Sequence, residues 1–301
     1  MKKPNFFLIG APKCGTTSMA AWLSHHSQVF ISQIKEPHFF SFDYGDRRVA
    51  SLRSYEKLFR AASSSHIAVG EASTGYLYSR TAVPAICAYA VDPRIIVMIR
   101  DPIEMVCSLH QQRLFEGQEQ EREFDVAWRL QGTRIFGGNL PKRCTDPQYL
   151  FYGSICRVGE QLRRVCNLVG QNRVLVIRLD QIQRDPGQEC KRVLEFLGLD
   201  GEKMPVFPIL NRSPGRTHSA LWSTLSAADQ LLRDIKIKTP RLGIMEHFHN
   251  RFSQMVVRQQ ISAAMRAELV EYFSEDIQLI ENLTGFELSA WRSTARKSRQ
   301  P

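Results

Sequence analysis

Near its beginning the chain reads Phe6-Phe7-Leu8-Ile9-Gly10-Ala11-Pro12-Lys13-Cys14-Gly15-Thr16-Thr17-Ser18. The apolar residues that open this stretch predict a buried strand, and the residues after the second glycine predict a helix. A strand, a glycine-bounded loop and a helix N-terminus together bind anions, because backbone N–H groups point into the loop and the helix dipole favours negative charge there. The stretch therefore predicts an α/β fold with a P-loop-like phosphate-binding loop.

The rest of the chain alternates β-type runs with helical patterns. Further β-type runs occupy residues 66–70, 94–99 and 173–177. Helical patterns occupy residues 16–24, 81–90, 103–115, 153–168 and 187–197. This alternation predicts a central parallel β-sheet flanked by helices and joined by right-handed crossovers. Ligands of such sheets bind at the carboxyl ends of the strands, so the residues that follow each strand are the candidate site.

The last third of the chain shows little strand pattern. Residues 221–235 and 255–283 read as helices, which predicts a helical C-terminal part packed on the sheet. We interpret residues 1–301 as a single domain, with residues 217–260 as a helical insertion within it.

The lysine of the loop stands in an unusual place. A P-loop NTPase carries the pattern G-x-x-x-x-G-K-[ST], and both glycines of this loop keep that spacing. The residue after the second glycine is Thr16, however, and the lysine is Lys13, inside the loop. The run at 94–99 is followed by Arg100 instead of an acidic Mg²⁺ ligand, and a cation there repels a metal ion and attracts an anion. The pattern therefore predicts a phosphate-bearing cofactor that is bound without metal.

The charge balance of the chain is basic, with 40 Lys and Arg against 30 Asp and Glu and a net charge of +10. An excess of this size suits an anionic ligand, cofactor or surface. The basic residues are dispersed, and no zinc-finger or RRM signature accompanies them, so we expect no specific nucleic-acid partner.

Cysteine usage and hydropathy favour a cytoplasmic location. The seven cysteines, an odd number without C-x-x-C spacing, indicate reduced thiols and no zinc site. No apolar run approaches the roughly 20 residues of a membrane span, and no signal-peptide pattern precedes Gly10. We therefore expect a cytoplasmic protein without a transmembrane segment, and the sequence leaves its oligomeric state open.

Several further motifs follow the loop in order. They are Lys35-Glu36-Pro37-His38-Phe39-Phe40, Ile99-Arg100-Asp101-Pro102 with Ser108, Leu179-Asp180-Gln181-Ile182, Gly215-Arg216 and Leu283-Thr284-Gly285-Phe286. In this order, over nearly the whole chain, the motifs resemble those of the PAPS-dependent sulfotransferases. The resemblance is strongest to the branch that contains the heparan sulfate 3-O-sulfotransferases and their bacterial relatives.

The resemblance implies that three residues are catalytic. Lys13 would stabilise the charge that develops on the leaving bridging oxygen, and Glu36 would be the general base. His38 would orient Glu36 or contact the acceptor, although a purely structural histidine fits this position nearly as well.

The surroundings of Glu36 carry a further expectation. Its segment contains three phenylalanines, Phe39, Phe40 and Phe42, which we expect to desolvate the carboxylate in part and thereby raise its pKa. The alternative is a surface pair between Lys35 and Glu36, which is usually worth little energy.

The resemblance also implies a set of cofactor-binding residues. They are Pro12, Lys13, Cys14, Gly15, Thr16, Thr17, Ser18, Arg100, Ser108, Gly215 and Arg216. Arg100 would clamp the 3′-phosphate with its fork of donors, and Ser108 would donate a hydrogen bond from the next helix. Gly215 and Arg216 would form a basic loop that closes over the cofactor.

These expectations describe a metal-free, in-line transfer of a sulfuryl group from PAPS (3′-phosphoadenylyl sulfate) to an acceptor hydroxyl, with PAP as the other product. The resemblance favours a carbohydrate or glycolipid acceptor. Two departures leave the acceptor's identity open. Ala72 follows Glu71 where many glycan-modifying relatives have a lysine, and Val158 stands where a tyrosine is common.

Two other functions stay open from the residues alone. A P-loop nucleotide kinase or NTPase with a degenerate loop would use the same cradle, although the positions of Lys13 and Arg100 argue against it. A non-catalytic protein that binds anions or nucleic acid is compatible with the net charge.

Overall fold

Five parallel strands form the central sheet of this computed structural model. Their bounds are β1 (Phe6–Gly10), β2 (Val29–Ile31), β3 (Ala68–Ala72), β4 (Arg94–Ile99) and β5 (Val174–Arg178). The order across the sheet is β2-β3-β1-β4-β5. Phe6 of β1 pairs with Gly70 of β3 on one side and with Arg94 of β4 on the other. The predicted fold class, a parallel sheet flanked by helices, is confirmed.

The structure describes residues 2–45, 47–200 and 261–294. These residues belong to one compact unit of the chain. The predicted insertion at 217–260, the helix predicted at 221–235 and the first part of the helix predicted at 255–283 lie outside the described residues, as do Gly215 and Arg216. The interpretation of residues 1–301 as a single domain stays a prediction.

The composition of the strands explains their places in the sheet. Every residue of β1 is buried, as is every residue of β4 after Arg94. A continuous apolar run suits a strand that helices cover on both faces. Strand β2 was not predicted, because the three residues Val29–Ile31 at the sheet edge are too few to show a period.

Ten α-helices lie in the described ranges. They are α1 (Thr16–Leu23), α2 (Leu52–Lys57), α3 (Ala82–Tyr89), α4 (Pro102–Phe115), α5 (Phe124–Arg134), α6 (Tyr152–Cys156), α7 (Val158–Val169), α8 (Leu179–Arg184), α9 (Pro186–Phe196) and α10 (Ala263–Thr284). Short 3₁₀ turns occupy Thr74–Tyr76, Pro147–Leu150, Gln171–Arg173 and Ser289–Arg292.

The helix predicted at 153–168 is two helices in the structure. Arg157, with ψ 71°, leaves the helical conformation between α6 and α7. The backbone N–H groups of Gly159 and Glu160 donate to the two carboxylate oxygens of Asp276, at 2.8 and 2.9 Å. The first N–H groups of a helix have no partner within it, so Asp276 of α10 stabilises the start of α7. This contact spans more than 100 residues, so no local pattern could indicate it.

The described end of the chain is helical, as predicted. Ser262 caps α10 by accepting a hydrogen bond from the N–H of Met265 at 3.0 Å, and Gly285, with φ 71°, ends the helix. Helix α10 packs on α7, and its buried residues include Met265, Leu269, Phe273, Ile277 and Ile280. Burial of each such side chain stabilises the fold by about 1.5–3 kcal/mol.

The strand order places a ligand crevice between β1 and β4. The chain leaves β1 toward the side of β3 and β2, and it leaves β4 toward β5. Parallel sheets bind ligands at the carboxyl ends of the strands where the order reverses in this way. Gly10 and Ile99 end the two strands, so the loop at 10–18 and Arg100 both begin at this crevice.

Two expectations from composition concern cysteines and membrane segments. All seven cysteines are free, as predicted; three are buried, three are partly buried and Cys87 is exposed. Within the described ranges, no helix combines the length and the apolar character that are needed to cross a membrane.

Candidate active site

The loop at 10–18 is held between β4 and α1. The N–H of Ala11 donates to the carbonyl oxygen of Met98 at 2.6 Å, which fixes the loop to β4. Gly15 has φ 85°, and a Cβ atom there would lie 2.8 Å from Leu179 Cδ1. Only glycine fits this position without displacement of its neighbour. Helix α1 begins directly after Gly15, so the positive end of its dipole opens on the loop.

The side chains of this loop are mostly withdrawn from solvent. Cys14, Thr16 and Ser18 are buried, whereas Pro12 and Thr17 are half-buried. Burial raises the pKa of the Cys14 thiol to about 12, and its Sγ donates to the carbonyl oxygen of Pro12 at 3.4 Å. The thiol is therefore neutral, and Cys14 can contribute to an anion site only through its backbone.

Lys13 lies in a concentration of positive charge. Burial lowers the pKa of its ammonium group to about 8; the carboxylate of Glu116 opposes the shift, and the cations Arg100, Lys35 and Arg113 add to it. Three cations that disfavour the charge on Lys13 mark a place where a bound anion would stabilise that charge.

Arg100 lies beside this lysine. Its Nη1 donates to the carbonyl oxygen of Lys13 at 3.1 Å, and its Nη2 lies 3.2 Å from Glu104 Oε2 on α4. The side chain is only 15% exposed. Ser108 is buried on the same helix. The carboxyl ends of β1 and β4 thus supply an ammonium and a guanidinium to one crevice.

The segment 35–40 brings Glu36 and His38 together. Glu36 Oε2 lies 3.2 Å from His38 Nε2, and Glu36 Oε1 lies 3.3 Å from Lys35 Nζ. Lys35 also donates a hydrogen bond to the hydroxyl of Thr17 in the loop. The Lys35 side chain therefore contacts both the predicted base, Glu36, and the predicted cofactor loop.

The prediction that the pKa of Glu36 is raised is wrong. Burial does push the pKa upward, but the hydrogen bond from His38 and the charge of Lys35 outweigh burial and hold the pKa at about 2. The surroundings also differ from the expectation, because Phe39 and Phe40 are buried whereas Phe42 is 57% exposed.

Sequence reasoning assigned no role to two cations of the site. Lys35 belongs to the motif at residues 35–40. Its position next to Glu36 was the sequence feature that could have identified it as part of the site. Arg113 lies near the end of α4, where its Nη1 pairs with Glu116 at 2.7 Å and its guanidinium stacks on Tyr149 at 4.2 Å. No motif surrounds Arg113, so only the fold shows that its charge acts on Lys13.

The residues present fit a polyanionic nucleotide. A glycine with positive φ, a helix N-terminus and several cations lie at the loop, which matches the donor set of a phosphate cradle. Gly215 and Arg216 lie outside the described residues. No group of three or more His, Cys, Asp and Glu side chains suited to a metal ion occurs among the residues that the structure describes.

Known proteins resemble this chain in sequence. Heparan sulfate glucosamine 3-O-sulfotransferase 3B1 of Mus musculus is 24% identical over 273 residues, covering 85% of this chain and 64% of that protein. Carbohydrate sulfotransferase 15 of Mus musculus is 28% identical over 147 residues, covering 35% of this chain and 26% of that protein. The chain thus spans about a quarter of the latter relative and less than two thirds of the former.

The fold and the family are also shared. The crystal structure of a sulfotransferase from Alicyclobacillus acidocaldarius superimposes with a TM-score of 0.72 at 24% identity, covering 97% of this chain and 100% of that chain. This likeness shows a common fold. The sulfotransferase domain family matches residues 3–259. Because this match extends over most of its residues, the chain belongs to the sulfotransferase domain family.

Proposed function

We propose that this protein transfers a sulfuryl group from PAPS to a hydroxyl group of a carbohydrate-type acceptor. The observation that carries the proposal is the contact of Lys35 with both Glu36 and Thr17, because it places a carboxylate next to the phosphate-type loop. A phosphate-binding loop alone fits many proteins. A carboxylate beside it suits an enzyme that removes a proton from an acceptor at that point.

The cofactor would be held by the loop and by Arg100. When bound, PAPS supplies a sulfuryl group attached to a phosphate that can leave as PAP. The backbone N–H groups of residues 13–18 and the N-terminus of α1 suit the 5′-phosphosulfate, with the hydroxyls of Thr16, Thr17 and Ser18 as further donors. The fork of Arg100, with Ser108 on α4, suits the 3′-phosphate.

Lys13 and Glu36 divide the chemistry of transfer. Lys13 would supply a compact positive charge to the phosphate that leaves. Glu36 would accept the proton of the acceptor hydroxyl as that oxygen takes the sulfuryl group and PAP leaves. His38 holds the second oxygen of the Glu36 carboxylate and so fixes its direction. Most of the catalysis comes from positioning and electrostatic stabilisation.

The low pKa of Glu36 comes from its contacts with His38 and Lys35, which outweigh burial. As long as both contacts hold, the carboxylate is a weak base. An anion in the loop attracts the Lys35 ammonium away from Glu36, and the pKa of Glu36 then rises toward the value that proton removal needs.

The carbohydrate-type acceptor is supported by the relatives' names. A carbohydrate sulfotransferase and a heparan sulfate glucosamine 3-O-sulfotransferase both match this chain. Within that class the sequence leaves a polysaccharide and a glycolipid open.

The test is transfer of ³⁵S from labelled PAPS to a panel of heparosan oligosaccharides, chondroitin, glycolipids and p-nitrophenol. We expect label on a sugar hydroxyl, with undiminished activity in EDTA. In the Glu36→Gln variant transfer should fall by about 10²- to 10⁴-fold, the usual range for loss of a general base. Its affinity for PAP should stay within about threefold, because Gln keeps the shape of the side chain.

Three results would contradict the proposal in different ways. Full activity of Glu36→Gln removes Glu36 from the mechanism, and a strict requirement for Mg²⁺ contradicts the metal-free site. Calorimetry that shows tighter binding of ATP with Mg²⁺ than of PAP would favour a nucleotide kinase.

A cytoplasmic location forms part of the proposal. Its support is that all seven cysteines are free, including the exposed Cys87, since reducing compartments keep thiols unpaired. Cell fractionation followed by detection with an antibody tests it, and recovery with secreted or lumenal markers would contradict it.

A further inference from the structure

Glu71, the fourth residue of β3, is a buried carboxyl group with unusual partners. The residue is 1% exposed. Three hydroxyl groups donate to it: Tyr55 and Tyr76 to Oε1 at 3.1 and 2.8 Å, and Ser73 to Oε2 at 2.6 Å. Burial of a carboxylate costs folding free energy unless the group is fully hydrogen-bonded. The three donors around Glu71 therefore indicate that this carboxyl group has a specific role.

Two of these hydroxyls also hold the segment that carries Glu36. The oxygen of Ser73 accepts the backbone N–H of His38 at 3.2 Å, and the oxygen of Tyr76 accepts the backbone N–H of Phe40 at 3.3 Å. The hydroxyl of Tyr55 accepts no backbone N–H from residues 35–45, all of which the structure describes.

The direction of each hydrogen bond follows from counting protons. A hydroxyl group has one hydrogen, and when the Glu71 carboxylate accepts it, the oxygen is left to accept an N–H. Burial raises the pKa of Glu71, and donation by Ser73, Tyr76 and Tyr55 opposes that rise. A third contact joins the same regions, because the N–H of Glu36 donates to the carbonyl oxygen of Ala72 at 2.9 Å. Alternate N–H groups at 36, 38 and 40 are therefore held by residues 72–76.

The held segment has a backbone that needs such support. Glu36 has φ 54° and His38 has φ 50°, both in the left-handed region that non-glycine residues disfavour. Such a conformation persists only where its surroundings determine it.

We propose that Glu71 is a positioning residue for sulfuryl transfer. Its carboxylate orients the hydroxyls of Ser73 and Tyr76, and these in turn fix the backbone that carries Glu36 and His38. This inference rests on the proposed role of Glu36 as the base. It places Glu71 behind the site, without contact with the substrates.

The chain offers a matched pair of variants as a test. Tyr76→Phe and Tyr55→Phe each remove one tyrosine hydroxyl from Glu71 Oε1, but only Tyr76 also holds a backbone N–H of the segment. Amide hydrogen exchange of the full chain, followed by NMR, measures that anchor directly. Tyr76→Phe should speed exchange at the Phe40 amide by about tenfold, as expected for loss of a typical hydrogen bond, and Tyr55→Phe should leave it nearly unchanged.

Kinetics with PAPS and the acceptor found in the glycan panel supply the second measurement. Tyr76→Phe and Glu71→Gln should lower kcat by about 10- to 100-fold, because small misplacement of a catalytic group has effects of that size. The KM for PAPS should change by less than about threefold, since the loop is untouched. Tyr55→Phe should keep kcat within about threefold by the same reasoning.

Equal loss of kcat in the two tyrosine variants, or unchanged exchange at Phe40 in Tyr76→Phe, would overturn the inference. If Tyr76→Phe does not fold, Ser73→Ala tests the second link through the exchange of the His38 amide. The exchange measurements need no acceptor. Absence of transfer in the unaltered protein would therefore count against the proposed function, while exchange at Phe40 in Glu71→Gln, expected to rise as in Tyr76→Phe, still decides whether Glu71 orients the hydroxyl that anchors the segment.

Discussion

The Lys35 ammonium lies 3.3 Å from Glu36 Oε1 and at the same time donates a hydrogen bond to Thr17 Oγ1. One lysine therefore connects the proposed base with the proposed cofactor loop. Burial alone would raise the pKa of Glu36, and Lys35 together with His38 keeps it at about 2. Under the proposed function, an anion bound in the loop would compete with the Glu36 carboxylate for this ammonium group.

Lys35→Met should change both the pKa of Glu36 and the affinity of the protein for PAP. Loss of the cation destabilises the charged form of Glu36, so the pKa of Glu36 rises and the acid limb of the kcat/KM profile moves upward by roughly one pH unit. The affinity for PAP should fall about tenfold, because a charge-assisted contact with the anion is lost. Steady-state kinetics from pH 4 to 9 and calorimetry measure the two effects. Lys191→Met, at an exposed pair with Glu195, is the control, and an unchanged acid limb in Lys35→Met would contradict the coupling.

PAP binding should take up a proton at mildly alkaline pH. The pKa of Lys13 is lowered to about 8 by burial and by neighbouring cations, so the free protein has lost part of this proton at pH 8.5. Bound phosphate favours the charged ammonium and restores it. Affinity should therefore be constant well below pH 8 and should weaken as the pH rises above that value.

Calorimetry in buffers of different ionisation enthalpy measures this uptake. We expect about half a proton or more per PAP at pH 8.5 and clearly less at pH 7.5, where Lys13 is mostly charged and the phosphates of PAP are still deprotonated. Lys13→Arg should abolish the uptake because a guanidinium stays charged at both values. Equal uptake in Lys13→Arg would assign the proton to another group.

Arg100→Lys should weaken the binding of PAP more than it weakens the binding of adenosine 5′-phosphate. The substitution keeps the charge but removes the fork of donors. A ligand whose phosphate accepts two hydrogen bonds from the guanidinium should therefore bind about tenfold or more weakly. Adenosine 5′-phosphate lacks the 3′-phosphate and should lose less than about threefold on the same grounds. Competition calorimetry gives both values, with Ser108→Ala as a milder change at the same phosphate. Equal weakening of the two nucleotides would show that Arg100 serves the loop and not the 3′-phosphate.

The sequence predicted those parts of the fold that depend on neighbouring residues. β1 and β4 are apolar throughout, and the glycine-bounded loop follows β1 directly, so their pairing at one crevice could be inferred. The division of the helix at Arg157 depends on Asp276, which lies more than 100 residues away. No local pattern carries that information.

The pKa shifts in the site likewise could not be predicted from the local sequence. Glu36 and His38 were recognised as neighbours, but the sign of the Glu36 pKa shift depends on how burial balances two specific contacts. A count of nearby phenylalanines could not give that balance, because Phe42 turns out to be exposed. The role of Arg113 likewise depends on where α4 lies relative to the loop.

Glu119→Gln should destabilise the fold strongly. Glu119 and Arg134 form a two-point ion pair at 2.7 and 2.9 Å, with side chains 0% and 2% exposed, and Tyr152 donates to the same carboxylate at 2.8 Å. Removal of the charge leaves the Arg134 guanidinium buried without its partner, which costs about 3–5 kcal/mol. Urea unfolding at pH 7 measures this loss.

The pH dependence of that loss and a matched control make the test specific. Burial would raise the pKa of Glu119, but the Arg134 contact and further donors lower it below its ordinary value of 4.5. The pair's contribution is therefore fully present above the unfolded-state pKa and is lost as the pH falls through the folded-state pKa, so wild type and Glu119→Gln should converge in acid. Asp92→Asn, which breaks the exposed pair with Arg173, should cost less than about 1 kcal/mol. A similar cost for both variants would mean that burial adds nothing to the Glu119 pair.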